Sequence, residues 1–159
     1  DWIKPSDPLN QQDMDSVRRI ADAAMKEPLE AMREDPPDWW VGTSGAFNTL
    51  RTLEDPQSRW GTPREADAFS KSELLARCEA LSVMSKSQMH EIPGMHPDRI
   101  PYMAVACTLI RHMLDRCGGV RRVFRSRHTL AEGVIAHAAS NGGAGGGVWE
   151  AWKGLDRMG

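Results

Sequence analysis

The residues best placed to do chemistry here are small ones. Gly42-Thr43-Ser44-Gly45-Ala46-Phe47-Asn48 follows the apolar run Trp39-Trp40-Val41 and leads into a helical pattern. Small residues at a strand-to-helix turn let backbone N–H groups approach an anion, and the helix dipole favours negative charge there. That is a phosphate cradle, although the same spacing also makes an ordinary ligand-free connector. A second such turn, Ser126-Arg127-His128-Thr129-Leu130-Ala131-Glu132-Gly133, carries hydroxyls and an acidic residue. Its plain role is a capped helix start, with Ser126 or Thr129 as cap and Glu132 favoured by the dipole. Ligands of parallel α/β sheets sit beyond the carboxyl ends of the strands, so both turns could wall one crevice. The loop His96-Pro97-Asp98-Arg99 holds an arginine on a stiff segment, able to fork onto phosphate oxygens. An exposed surface loop, or an Asp98 cap on the next helix, explains those residues equally well.

Other chemistries find less support. His90, His96, His112, His128 and His137 show no HExxH or other ligand spacing, so no metal residue is assigned. Cys78, Cys107 and Cys117 form no CxxC pair, and an odd count argues for free buried thiols in a reducing compartment. No Ser-His-Asp or Cys-His motif is present, and no residue is assigned a catalytic role. Arg121, Arg122, Arg125 and Arg127, with Arg111, His112 and Arg116 upstream, could neutralise phosphates, including those of nucleic acid. Neighbouring strand residues point to opposite faces, however, and only Phe124 interleaves them, so a solvated face is favoured over a nucleic-acid site. The six tryptophans read as core and anchoring residues.

The elements that must position these groups follow from periodicity. Gln11 to Glu34 places apolar residues three and four apart, an amphipathic helix that Pro28 should kink or split. Asp38 to Gly42 reads as a short buried strand, and a helix follows over 46–53. Residues 55–68 are loop-like. Ser70 and Glu73 form a capping-box pattern that opens another helix. A shorter helical stretch covers 87–92, and a helix apolar nearly all round covers 102–116, as expected of a core element. Gly118-Gly119 stops it. Val120 to Ser126 is a second strand and 130–139 a helix. Two strands with helical crossovers imply a parallel α/β sheet. Two strands do not make a stable sheet, so further strands are expected, overlooked here or supplied by other sequence.

The 159 residues fit one domain, and a composition of 40% hydrophobic and 26% charged residues excludes disordered and collagen-like classes. A net charge of −2, from 20 Lys+Arg and 22 Asp+Glu, gives no global bias towards polyanions. The longest apolar run falls far short of the roughly 20 residues of a membrane span, and the start has no signal-peptide core. A cytoplasmic protein without membrane partners is expected. The chain begins at Asp1 without an initiator Met, so it is expected to begin partway along a longer product or to have been processed.

Three stretches together resemble the exopolyphosphatase / guanosine pentaphosphate phosphohydrolase family. Glu91-Ile92-Pro93-Gly94-Met95-His96-Pro97-Asp98-Arg99 is similar to its "iPGl-p-R" signature. Gly42-Thr43-Ser44-Gly45 resembles a phosphate-side loop, G-x-[GS]-G-T, and Ser126 with Leu130-Ala131-Glu132-Gly133 resembles its "S…LREG" element. They occur in family order and span about residues 8–139. The resemblance implies an α/β fold, the later part of a ribonuclease-H-like domain of the actin-like ATPase superfamily, with two recognisable strands here. Residues 1–140 would be a partial second domain, and 141–159 a Gly-rich linker and short C-terminal helix. It further implies removal of terminal phosphate from polyphosphate or guanosine pentaphosphate with Mg²⁺, whose ligands are expected outside this chain. Phosphate would be bound by Gly42, Thr43, Ser44, Gly45, Ala46 and Arg99, supported by Ser126, Glu132 and Gly133. The missing domain portion would come in cis or from a partner chain, and a homodimer is possible. Ala46 stands where the family has Thr, Ile100-Pro101 where it has Ala-Asp, and Ala131 where it has Arg. These differences motivate an alternative, a non-catalytic phosphate-ligand sensor or interaction module of the same fold. A nucleic-acid module using the Arg-rich strand is a second alternative.

Overall fold

The computed structural model describes residues 4–54, 68–126, 128, 131, 133–135 and 137. Two compact units are distinguished, Asp1–Ser126 and Arg127–Gly159. The described residues of the second unit at 131, 133–135 and 137 are helical, in line with a helix over 130–139. The linker and C-terminal helix expected over 141–159 lie outside the described residues.

In the first unit, α1 (Gln11–Ala24) opens with a capping box: the Asn10 side chain accepts from the Asp13 N–H at 2.9 Å, and the Asp13 carboxylate accepts from the Asn10 N–H at 3.3 Å. Met14, Val17 and Ala21 form its buried stripe. The helix then breaks at Met25, and α2 (Lys26–Glu34) takes Pro28 into its first turn. A first-turn N–H has no partner within the helix, so proline costs nothing there, and the expected split falls just before it.

Next come β1 (Trp39–Gly42), α3 (Ser44–Glu54), β2 (Ala68–Phe69), α4 (Lys71–Ser82), α5 (Lys86–His90), a 3-10 turn (Pro97–Arg99), α6 (Ile100–Arg116) and β3 (Arg122–Arg125). The sheet order is β1-β3-β2. β1 runs parallel to β3 with Gly42 opposite Arg125, and β2 runs antiparallel to β3 with Phe69 opposite Val123. The sheet is therefore mixed and has three strands, where the periodicity shows two and a parallel pairing. A two-residue strand carries no readable alternation, which is why β2 escapes detection.

Other expectations are corrected in detail. β1 is not a buried strand, because Trp39 and Val41 are 63% and 55% exposed. They lie with Phe124 on the outer sheet face, where Trp39 meets the Phe124 ring edge-on at 5.5 Å. The Ser70–Glu73 capping box does not form: Ser70 sits at the N-cap of α4 without a side-chain cap bond, and its hydroxyl meets Ser72 instead. α6 buries Ile100, Met103, Cys107, Ile110, Met113 and Leu114 but exposes Tyr102 and Leu109, so one stripe is not core.

The inner sheet face packs on α3, α4 and α6. Leu50, Leu74, Cys78, Met103, Cys107 and Val123 are essentially inaccessible there. All three cysteines are free and buried. Contact with the Cys78 thiol, and then burial, push the Cys107 thiol far above the ordinary range, so it stays protonated.

At the α1–α6 boundary, Asp22 Oδ1 meets His112 Nε2 at 2.9 Å and accepts from Arg116 Nε at 3.0 Å. The His112 hydrogen bond, helped by Arg116 against the opposing effect of burial, holds the Asp22 carboxyl below its ordinary 3.8. A depressed carboxylate pKa stabilises the fold above 3.8, and that contribution is lost as pH falls through the folded-state value. Asp22→Asn should therefore lower the thermal midpoint by a few degrees at neutral pH. In paired melts the difference from the parent chain should close below pH 3.8.

Candidate anion site at the start of α3

Gly42 is the last residue of β1, Thr43 makes the turn, and Ser44 begins α3. The turn is tight because Phe47 folds back beneath it. A β-carbon at Gly42 would fall inside the Phe47 ring. That ring packs edge-on against Phe69 of β2, with centroids 6.1 Å apart. The Thr49 hydroxyl donates to the Gly45 carbonyl at 2.9 Å and steadies the first turn from its buried side. The first N–H groups of α3 have no partners within the helix and carry the positive end of its dipole.

Arg99 arrives at this turn from the segment 94–99, just ahead of α6. Gly94 takes φ +88 beside Thr52 and Leu53 of α3, a backbone region that suits glycine. Met95 and Ile100 are buried and anchor the two ends of the segment. Between them the 3-10 turn presents Arg99, whose guanidinium lies directly over Gly45. A β-carbon at Gly45 would fall on the guanidinium carbon. Among the described residues no carboxylate forms an ion pair with Arg99. A cation beside the N-terminus of a helix meets the dipole with the wrong sign. The α3 start and Arg99 therefore concentrate positive potential at one exposed place, and an anion between them would relieve both.

Several sequence candidates converge at this site. Gly42, Thr43, Gly45, Ala46 and Arg99 are brought together, and the α3 backbone starts at Ser44. Ser126, just past the end of β3, joins them, since its N–H donates to the Gly42 carbonyl at 2.8 Å. Gly133 belongs to the second unit, and Glu132 lies outside the described residues. Arg125 is a finding that spacing alone did not isolate: it is 8% exposed and faces Gly42 across the parallel ladder. The signal available was strand alternation, which puts Arg125 on the face of buried Val123 and Arg122 on the exposed face. Arg121 meets Asp38 at 3.3 Å, so the arginine run is divided among different surroundings.

No group of three or more His, Cys, Asp or Glu residues able to hold a metal occurs among the described residues. The site itself is glycine, threonine, alanine and arginine, which does not fit a Mg²⁺ shell. No described helix is long and apolar enough to cross a membrane.

No family model matches the chain, and neither does any curated protein. Solved structures do match. An exopolyphosphatase from Cytophaga hutchinsonii superposes with a TM-score of 0.74 at 22% identity, over 88% of this chain and 45% of that one. A Ppx/GppA family member from Aquifex aeolicus superposes with a TM-score of 0.67 at 14% identity, over 86% and 43%. An exopolyphosphatase-like protein gives 0.66 at 20% identity, over 82% and 42%. The chain thus has the fold of a portion of the exopolyphosphatase and Ppx/GppA structures, as its motifs suggest, and spans somewhat under half their length.

The two glycines should separate experimentally. Gly42→Ala collides with a packed ring and should cost about 1–3 kcal/mol in denaturant unfolding. Gly45→Ala has the movable end of an arginine as its nearest atoms and should change stability by less than about 1 kcal/mol. It should nonetheless displace the Arg99 guanidinium, seen as a shift of its Nε–H resonance.

Proposed function

We propose that this chain supplies one phosphate-binding wall of a phosphoanhydride hydrolase acting on polyphosphate or guanosine pentaphosphate. The observation that carries this reading is the Arg99 guanidinium laid over Gly45 at the positive end of α3. Charge-assisted hydrogen bonds from a planar guanidinium and preorganised backbone N–H groups suit a phosphate better than any neutral ligand. The fold shared with structures described as exopolyphosphatases agrees with the choice of anion.

In this reading the chain is the later part of a ribonuclease-H-like second domain. Two features support it: the chain spans under half of the matching structures, and β1 is an edge strand of the sheet. Further strands, in cis or from a partner chain, would pair along β1. Water would be activated by a carboxylate outside this chain, and Mg²⁺ would be bound there too, in a cytoplasmic setting. Within the chain, Arg99 and the N–H groups over 43–46 hold phosphate oxygens and offset charge that develops on them. Ser126 shapes the neighbouring turn through its N–H bond to the Gly42 carbonyl.

A second reading keeps the anion site without the hydrolysis. It is favoured by Ala46 and Pro101, which place no hydroxyl or carboxylate at two positions beside the site. The Arg-rich strand as a nucleic-acid surface gains less support, since Arg122 is exposed and Arg125 buried.

Titration calorimetry of the 159-residue chain with inorganic tripolyphosphate tests the proposal. Binding should occur, weaken with added salt, and fall roughly ten- to a hundredfold in Arg99→Ala. No phosphate should be released by the chain alone. Binding that ignores Arg99 would remove it from the site, and phosphate release by the chain alone would show that it is more than a wall.

A further inference from the structure

We infer that His96 is the positioning residue for Arg99, an inference that rests on the anion site proposed above. His96, Pro97, Asp98 and Arg99 are all exposed between buried Met95 and buried Ile100, so core packing fixes the ends of the segment and leaves its middle free. The Ile100 N–H donates to the Pro97 carbonyl at the end of the turn, and the two hydrogen bonds that order its start both end on His96. Its carbonyl accepts from the Arg99 N–H at 2.9 Å, which closes the 3-10 turn. Its Nδ1 accepts from the Asp98 N–H at 3.3 Å and acts as the N-cap. Pro97 occupies the first turn position with a fixed φ and no N–H of its own. The Asp98 N–H is therefore the donor that the cap has to satisfy, and the imidazole does so with a bare Nδ1 and its proton on Nε2. Among the described residues no other side chain hydrogen-bonds to this turn. Arg99 stands one residue beyond the capped N–H. A small rotation of the turn, carried to the end of a long side chain, moves the guanidinium off Gly45.

The test uses the 159-residue chain with inorganic tripolyphosphate as probe and Arg99→Ala as reference. His96→Ala should bind about fivefold more weakly, the effect expected from losing one cap hydrogen bond. His96→Asn should return to within about twofold of the parent, because an amide oxygen caps as well as Nδ1. The thermal midpoint should fall by no more than a few degrees in His96→Ala and recover in His96→Asn. Parent-like affinity in His96→Ala overturns the inference. So does failure of His96→Asn to rescue, which would mean that the imidazole contacts the anion itself. Should the parent not bind tripolyphosphate, the proposed function falls, and the Arg99 Nε–H resonance still decides this inference. It should shift in His96→Ala and return in His96→Asn, whereas an unchanged resonance in His96→Ala overturns the positioning role.

Discussion

The contact of the Arg99 guanidinium with the bare Cα of Gly45 is the constraint around which the site is built. It joins two parts of the chain far apart in sequence, the first turn of α3 and the turn before α6. It also brings together two positive ends, a helix N-terminus and a cation. Coulomb repulsion between them is modest in water, but nothing in the contact itself favours it. The arrangement persists because the core dictates where both segments lie. Leu50 anchors α3, Ile100 and Met103 anchor α6, and Met95 holds the loop between. Electrostatic discomfort at the surface is thus imposed by apolar burial beneath it.

That core has β3 at its centre. Val123 is inaccessible, with β1 parallel on one side and β2 antiparallel on the other. The parallel pair aligns Gly42 with Arg125, and the next rung joins Ser126 to the Gly42 carbonyl. The carboxyl ends of two strands therefore meet at the turn that starts α3, the place where open α/β sheets bind ligands. Phe47 links this geometry to the rest of the packing. Its ring fills the space a side chain at 42 would need and rests on Phe69 of the short third strand. A strand of two residues thereby helps to shape a turn that lies distant in sequence.

Much of this was legible in the sequence, and what was not has physical causes. Helices with strong apolar periodicity, such as α1 and α6, declare themselves, and so does the break before Pro28. The Gly42–Ala46 turn and Arg99 were each readable from residue type, but their meeting was not, since no local pattern encodes a contact between Gly45 and Arg99. β2 was hidden because two residues show no alternation. The Ser70 cap was misread because a serine at the right spacing can spend its hydroxyl on a neighbour, here Ser72. The Asp22–His112–Arg116 cluster was invisible for the same reason as the Arg99 contact: α1 and α6 meet only in three dimensions.

The substitutions relative to the family pattern sort by chemistry once the fold is in view. Ile100 is 3% exposed and serves as the first core residue of α6, so its size is set by packing. Pro101 follows it in the first turn of α6, where proline and an acidic residue are both favourable to a helix start. Replacing one by the other keeps the helix and loses a charge. Ala46 lies half-buried in the first turn of α3, where a hydroxyl is dispensable to the helix. The groups that attract and orient an anion, the N–H groups of α3 and the Arg99 guanidinium, do not depend on any of these side chains. Ala46 and Pro101 thus stand in place of a hydroxyl and a carboxylate, groups able to hold a proton or a cation, whereas Ala131 stands in place of a guanidinium. In the proposed reading, anion binding and hydrolysis rest on separable sets of residues, and the α3 N–H groups and Arg99 proposed for binding do not depend on Ala46 or Pro101.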